Sequence, residues 1–584
     1  MDSRCTNPVE IKMGGLRGSL PKDVLVLVQD AVHEWKTSGK ARKLWARDPS
    51  LWTGRDEGRW LGWLTIVGDQ LAEGQRLEDI KEDVRARGFS HAVLLGMGGS
   101  SLCAEVLRRT FTRADGYPEI HVLDSTVPAR IKSVENSVDQ SNTLFIVSSK
   151  SGTTLEPGIM KEYFYERVRS VVGQDRAGSF FFAITDPGSK LEKEAKNDGF
   201  LHIFYGVPEI GGRYSALSNF GMVPAAVMGL DLMRYLELTA GMTAACGQDV
   251  PVEDNPGIVL GLVLGFLCTA GRDKITIVTS PGIAALGTWL EQLIAESTGK
   301  ESKALIPVDL EEIGPPDIYG DDRVFVYLRL GTAPAASQDA AMDTITASGI
   351  PVIRIRVDDP YHIGQEFFRW EVATAVAGSV LGINPFDQPD VEASKIATRE
   401  LTAEYEETGS LPSESPVLEE KGVKLFTDDI NAAELAAAAG EDRTLAGYLH
   451  AHLARIGPDD YFALLGFVNS DDVNLERLQA IRHIVRDRKK VATSLGFGPR
   501  FLHSTGQAYK GGPNTGVFLQ VTSDDDGDIS VPGRKYTFGT VKTAQQRGDF
   551  QVLTDRGRRA LRVHLGADVR AGLDTLLDAV KRSV

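Results

Sequence analysis

Cysteine is scarce. The 584 residues contain four, Cys5, Cys103, Cys246 and Cys268, and no two share a C-x-x-C spacing. That excludes a disulfide scaffold and a cysteine-held zinc site, and it points to a reducing compartment. Long apolar runs are also missing. The longest, GIVLGLVLGFLCTA at 257–270, is too short and too rich in glycine to span a bilayer and reads as a buried helix. The first residues lack a basic-then-apolar leader pattern, so a soluble, cytoplasmic protein with no membrane partner is expected. No block of lysine and arginine interrupts a chain of net charge −16, which argues against nucleic acid as a partner. An anionic ligand must therefore find a dedicated local site. There is no short tandem repeat, which excludes a solenoid. SDDDGD at 523–528 lacks the ligand spacing of a calcium loop and reads as a solvated turn. No metal and no cofactor are expected.

What is present is ordinary globular material. Hydrophobic residues make up 42% and charged residues 25%, enough for several cores over three or four domains. Residues 1–55 read as a helical segment, with apolar helical spacing over 22–39. Trp45, Trp52, Trp60 and Trp63 follow closely and are expected to pack a helix onto a neighbouring core. From about residue 90 the texture becomes α/β. A strand running into a glycine-rich turn is predicted over 91–99, a strand at 120–126, a strand running into a hydroxyl-rich loop over 143–154, a strand ending at a turn over 180–187 and another at 202–206, with a second set at 274–281, 304–310, 323–330 and 350–357. Helical stretches such as 287–297 separate them. Two successive doubly wound parallel-sheet units, 56–235 and 236–410, are the natural architecture. A polar stretch at 404–422 leads into an α/β extension, 411–584, of unassigned role.

Two loops are built to receive an anion. GMGGSS at 96–101 lies between a predicted strand and a predicted helix, where backbone N–H groups gather at a positive helix end. It is not a P-loop, because no Lys-Ser/Thr pair closes it. It also misses the dinucleotide fingerprint, since Ser101 stands where the third glycine belongs, although Asp124 on the next strand mimics a ribose-binding acid. SSKSGTT at 148–154 carries hydroxyls on five of its seven residues. An ionised phosphate offers only acceptors, so hydroxyls and amides suit it. Two such loops beyond successive strands of one sheet suggest a small phosphorylated ligand.

These loops together resemble the sugar isomerase (SIS) domain. Further blocks resemble the phosphoglucose isomerase family: GGRYSALSNFG at 211–221, WLEQLIAESTGKE at 289–301, and DDPYHIG followed by EFFRWEVATAVAGSVLGINPFDQPDVEASK, ending at Lys395. The likeness covers about residues 90–400. The tryptophan-rich start and GPRFLHSTGQAYKGGPNTG at 498–516 are similar to the isomerase half of bacterial transaldolase–phosphoglucose isomerase fusions. The resemblance implies an α/β fold of two SIS-type subdomains, the first binding sugar phosphate and the second carrying the catalytic Glu and Lys. It implies metal-independent interconversion of glucose 6-phosphate and fructose 6-phosphate, a homodimer, and a functional link to transaldolase.

Residue by residue, the resemblance implies that Ser100, Ser149, Ser151 and Thr154 hold the phosphate, with Gly99 and Lys150 lining the same site and Gln292 lining the sugar site. Glu296 is the implied base moving the proton between C2 and C1, and Arg213 the implied cation for the enediolate. Lys395 and His362 are implied in ring opening, with His362 reaching across from the partner subunit. His503 has no assigned role and is read as structural. Elementary chemistry agrees with several of these roles. A base for a proton α to a carbonyl should titrate near working pH, and Glu296 lies near a negative helix end. Gln292 shares its helix face. A fixed cation such as Arg213 suits a developing oxyanion. Lys395 lies near a positive helix start, which is expected to lower its pKa. Three alternatives stay open: a sugar-phosphate sensor without turnover, an isomerase that also accepts mannose 6-phosphate, and an oxidoreductase using the first glycine loop.

Overall fold

The computed structural model describes residues 8–584, so Cys5 lies outside the described residues. Its architecture is α/β, with three sheets of five, six and six strands. The chain opens with a hairpin, β1 (Val9–Met13) and β2 (Leu16–Leu20), inside the stretch read as a helical segment. The Gly14–Gly15 turn, with both φ angles positive, is the hairpin signal that the helical reading passed over. A helix does follow, at Lys22–Thr37.

The first sheet contains β3 (His91–Leu95), β4 (Glu119–Leu123), β5 (Thr143–Ser148), β6 (Phe181–Thr185) and β7 (His202–Tyr205). They run parallel in the order β4-β3-β5-β6-β7. The winding direction reverses between β3 and β5, so the crevice of this sheet opens between the two expected anion loops. The second sheet contains β8 (Lys274–Thr279), β9 (Ile306–Val308), β10 (Arg323–Leu330) and β11 (Val352–Val357). The N-terminal hairpin extends it antiparallel through β2 and β11. All nine strands expected between 91 and 357 are therefore present. Strands such as β5, β6 and β8 are buried at every residue, as parallel sheets covered by helices on both faces require.

Beyond residue 410 the chain builds a third unit of the same kind. It contains β12 (Leu418–Glu420), β13 (Val423–Phe426), β14 (Tyr461–Phe467), β15 (Ala492–Phe497), β16 (Gly516–Thr522) and β17 (Arg559–His564). Its order is β12-β13-β17-β16-β14-β15, parallel from β17 to β15 with a hairpin along one edge. The helix Ala285–Thr298 is buried along almost its whole length. Its Ala295 shares an apolar cluster with Ile306, Val308, Ala463, Phe501 and Ala508, which joins the second sheet to the third. Buried polar groups lock the same junction. Arg323 donates to Glu311 at 2.9 Å, Thr493 Oγ1 donates to Glu311 at 2.8 Å, and Arg482 donates to the carbonyls of Asp309 and Thr493. The apolar stretch near 257–270 is the buried helix Pro256–Thr269. No helix among the described residues is long and apolar enough to cross a membrane.

Of the four clustered tryptophans, Trp52 and Trp63 are buried. Trp45 is half-buried and donates to the Cys246 carbonyl at 2.9 Å. Trp60 is partly buried against the same core and also lies on the wall of the cavity described below.

One core group carries a measurable cost. Glu371, on the helix Ile363–Leu381, is fully buried, and neither carboxyl oxygen has a hydrogen-bond partner. Burial raises its pKa well above the ordinary carboxylate value. The folded state therefore keeps the proton that the unfolded chain releases above its own pKa. Stability from this group is fully present at low pH and falls as pH rises toward the folded pKa, at about 1.4 kcal/mol per pH unit. Glu371→Gln is expected to raise the melting temperature more at pH 8 than at pH 5, measured by thermal unfolding at both values. An equal gain at both would show that the carboxyl ionises in the fold.

Candidate active site

The glycine loop after β3 turns at Gly98–Ser100 and enters the helix Leu102–Thr110. Gly99 is required by close approach: a Cβ there would lie 2.1 Å from the Gly212 carbonyl oxygen. This contact presses the 96–101 loop against the loop carrying Arg213. The hydroxyl loop after β5 leads into the helix Leu155–Val172, with Thr154 at its N-cap making no side-chain capping bond. The two loops are tied together where Ser148 Oγ donates to the Ser100 carbonyl at 2.7 Å.

A cavity of about 370 Å³ opens where these loops meet the second and third units. Gly99, Ser100, Lys150, Ser151, Thr154, Arg213, Gln292, Glu296 and Lys395 all line it. Two expected residues do not. Ser149 is buried beside a neighbouring cavity, with its hydroxyl unbonded. His362 lies in the turn Pro360–His362, where its Nδ1 accepts from the Asp359 backbone N–H at 3.4 Å. Within one chain it is not brought to the cavity. Lys150 is engaged by Asp186, whose own pKa is raised by burial. Asp124, the expected ribose mimic, instead accepts from Arg500 Nε and Nη2 at 2.7 and 2.8 Å.

Arg213 is 2% exposed. Its Nε donates to Ser297 Oγ at 2.8 Å, Nη1 to Gln388 Oε1 at 3.0 Å, and Nη2 to the carbonyls of Pro385 and Asp387 at 2.6 and 3.0 Å. Nη1 also stands 3.2 Å from Glu296 Oε1. The other carboxylate oxygen of Glu296 accepts from Gln292 Nε2 at 3.0 Å, one helical turn back. A carboxylate and a guanidinium are thus fixed side by side on the cavity wall. Lys395, 39% exposed along its side chain, faces the same space from the helix Pro389–Thr408.

Three further residues at the site were given no functional role by the sequence reading, His503 among them having been read as structural. Lys300 closes the E-S-T-G-K block, donates to the Asn384 carbonyl at 2.6 Å and pairs with Asp387 at 2.9 Å. Burial, with Arg213 nearby, pushes its ammonium down to about 7, while Asp387 pulls the other way. Its place in a motif was the available signal. His503 lines the cavity from the third unit, and its glycine-rich surroundings were the only hint. Gln507, fully buried, accepts from the N–H groups of Asp390 and Val391 at 2.9 and 3.2 Å and donates to the Gly299 carbonyl and the Asp390 carboxylate at 2.9 and 2.8 Å. It holds the start of the Lys395 helix against the end of the Glu296 helix. Nothing in the local sequence marks it.

The fold defines the class first: an SIS-type α/β protein whose cavity lies beyond the strand ends. A family model for phosphoglucose isomerase matches residues 77–311. The glucose-6-phosphate isomerase of Rubrobacter xylanophilus is 29% identical over 370 residues, covering 55% of this chain and 84% of that protein. That of Staphylococcus saprophyticus is 28% identical over 379 residues, covering 57% and 85%. Among solved structures, a glucose-6-phosphate isomerase from Chlamydia trachomatis aligns with a TM-score of 0.57 at 18% identity, covering 68% of this chain and 90% of that one. A hypothetical protein from Thermus thermophilus aligns at 0.55 and 23% identity, covering 66% and 99%. These two likenesses speak to the fold alone. Residues 77–311 match the phosphoglucose isomerase family, and the chain is an isomerase.

Gln507→Leu removes partners from two buried N–H groups, a carbonyl and a carboxylate. Each such group costs about 1–3 kcal/mol when stranded, so a loss of at least about 3 kcal/mol is expected in urea unfolding. A loss below about 1 kcal/mol would show that the helix junction does not depend on this amide.

Proposed function

We propose that this chain interconverts glucose 6-phosphate and fructose 6-phosphate, an aldose–ketose isomerisation through an enediolate, without metal or nucleotide. The observation that carries the reading is the Glu296–Arg213 pair, 3.2 Å apart on the wall of a cavity that opens onto both anion loops. The hydroxyls and amides of 99–101 and 151–154, with the helix N-terminus after Thr154, receive the phosphate. Gln292 fixes the Glu296 carboxylate. That carboxylate removes the C2 proton of the open-chain aldose and returns it to C1, or the reverse. As the proton leaves, charge develops on the C1 and C2 oxygens, and the Arg213 guanidinium, already anchored, stabilises it without reorganising.

Ring opening needs one group to take the anomeric hydroxyl proton and another to supply a proton to the ring oxygen. Lys395 is one of these. Assigning the other to His362 requires a second copy of the chain, as in a homodimer, because His362 lies outside its own cavity.

With fructose 6-phosphate as substrate and glucose-6-phosphate dehydrogenase as reporter, turnover is expected to persist in EDTA. Glu296→Gln is expected to lose about 10²–10⁴-fold in kcat with little change in KM. A loss below tenfold would remove Glu296 as the base. A folded wild-type protein that binds the sugar phosphate without converting it would favour a sensor.

A further inference from the structure

We propose that His91, Glu119 and His121 form a binding site for a divalent transition-metal ion, with Zn²⁺ the best match, and that the ion clamps the edge strand β4 to its neighbour β3. The three residues lie outside the active-site cavity, and the inference does not depend on the isomerase reading.

The register of the first sheet builds the site. β3 and β4 run parallel, with His91 opposite Glu119 and Val93 opposite His121. Paired residues of adjacent strands share a face, and so do residues two apart on one strand. All three side chains therefore stand on one face of the sheet. One ring nitrogen of each histidine and a carboxylate oxygen of Glu119 all lie within 4.8 Å of one another. The two imidazole centroids are 5.4 Å apart. A tetrahedral Zn²⁺ with bonds of about 2.0–2.1 Å holds its ligands about 3.3 Å apart. Glu119 is exposed at the start of an edge strand, so rotation of its side chain and a slight tilt of the rings close the set without moving the sheet.

Both histidines are prepared for this role. Ser90 Oγ donates its one proton to the Asn142 carbonyl at 3.1 Å and lies 3.0 Å from His91 Nδ1. Toward His91 the hydroxyl oxygen is therefore an acceptor. That puts the His91 proton on Nδ1 and leaves the lone pair on Nε2. Metal-binding imidazoles are commonly oriented in this way, by an acceptor behind the other nitrogen. His121 Nε2 is buried with no hydrogen-bond partner. Buried polar atoms are normally partnered, and a cation among the three groups supplies the partner that the protein does not.

The donor set selects the ion. Two imidazoles and one carboxylate suit Zn²⁺ and its first-row neighbours, whereas Mg²⁺ and Ca²⁺ favour oxygen ligands. Neighbouring cations are already engaged. Arg108 and Arg130 act on His121 from the helices Leu102–Thr110 and Pro128–Ser137. Arg108 donates to Glu105 at 2.5 and 2.8 Å, and Arg130 stands near the Asp124 carboxylate. Asp139 adds a negative charge on the His91 side. Within its sheet β4 pairs with β3 alone, so an ion held by both strands adds a cross-link where the backbone ladder is single. The site occupies the N-terminal ends of these strands, about 13 Å along β3 from the glycine loop, so the clamp takes no part in catalysis.

The test uses the full-length protein, stripped with EDTA, dialysed and titrated with Zn²⁺ against a chromophoric chelator. One equivalent is expected to bind with a Kd in the micromolar range or below. Groups behind a metal ligand are worth about 10–100-fold in affinity, so loss of a ligand itself, in Glu119→Gln or His121→Gln, is expected to cost about 10²-fold. His33, exposed elsewhere on the surface, is the control, and His33→Gln should bind as the wild type does. Saturating Zn²⁺ should raise the Tm of the wild type and leave that of Glu119→Gln unmoved. Glu119→Gln carries the test if His121→Gln fails to fold, because its side chain is exposed. Bound Co²⁺ should show d–d absorption without a thiolate charge-transfer band. A thiolate band overturns the inference, because the ion then sits on a cysteine. Absence of binding at micromolar Zn²⁺ overturns it too, as does binding that Glu119→Gln keeps within about threefold of wild type or that His33→Gln weakens equally.

Discussion

The site hangs on one guanidinium. Arg213 sits on a short turn beyond the first sheet, yet its donors end on Ser297 and Glu296 of a second-unit helix and on Pro385, Asp387 and Gln388 of the loop before the Lys395 helix. A planar fork with donors in fixed directions can tie three segments at once, which a lysine cannot. Because it is almost wholly buried, its charge needs the Glu296 carboxylate as much as the carboxylate needs it. The distance between proposed base and proposed oxyanion cation is therefore set by the fold and does not wait for substrate.

The third unit gives this junction its rear wall. Its Gln507 clasps the ends of two helices, its Phe501 and Ala508 pack with Ala295, and its Arg500 reaches back to Asp124 on the first sheet. A segment that carries none of the expected site residues thus fixes the helices that do. It also places His503 among the anion loop, the base and Lys395. The family model stops at residue 311, so this contribution lies outside the matched region.

Much of the architecture was readable in the chain. Parallel strands buried on both faces are short β-branched runs, and their alternation with helical periods announced two doubly wound units. The hydroxyl loop, the glycine loop and the E-S-T-G-K block are local patterns. So are Glu296 and Gln292, which share a helix face because they are four residues apart. The opening hairpin was missed although Gly14–Gly15 encodes it, because the longer helical period downstream dominated the reading.

What the sequence determined by itself is whatever depends on neighbours along the chain: element type, anion-receiving loops, and the residue types able to do acid–base work. Tertiary structure alone decided which of them meet. Asp124 pairs with Arg500 across 376 residues, and His503 finds Glu156 across 347. His362, carried in a recognisable block, stays away from its own cavity. Side-chain periodicity has no memory over such separations. Contacts of that range are fixed by how sheets and helices pack, so a residue's chemistry can be read from the chain while its company cannot.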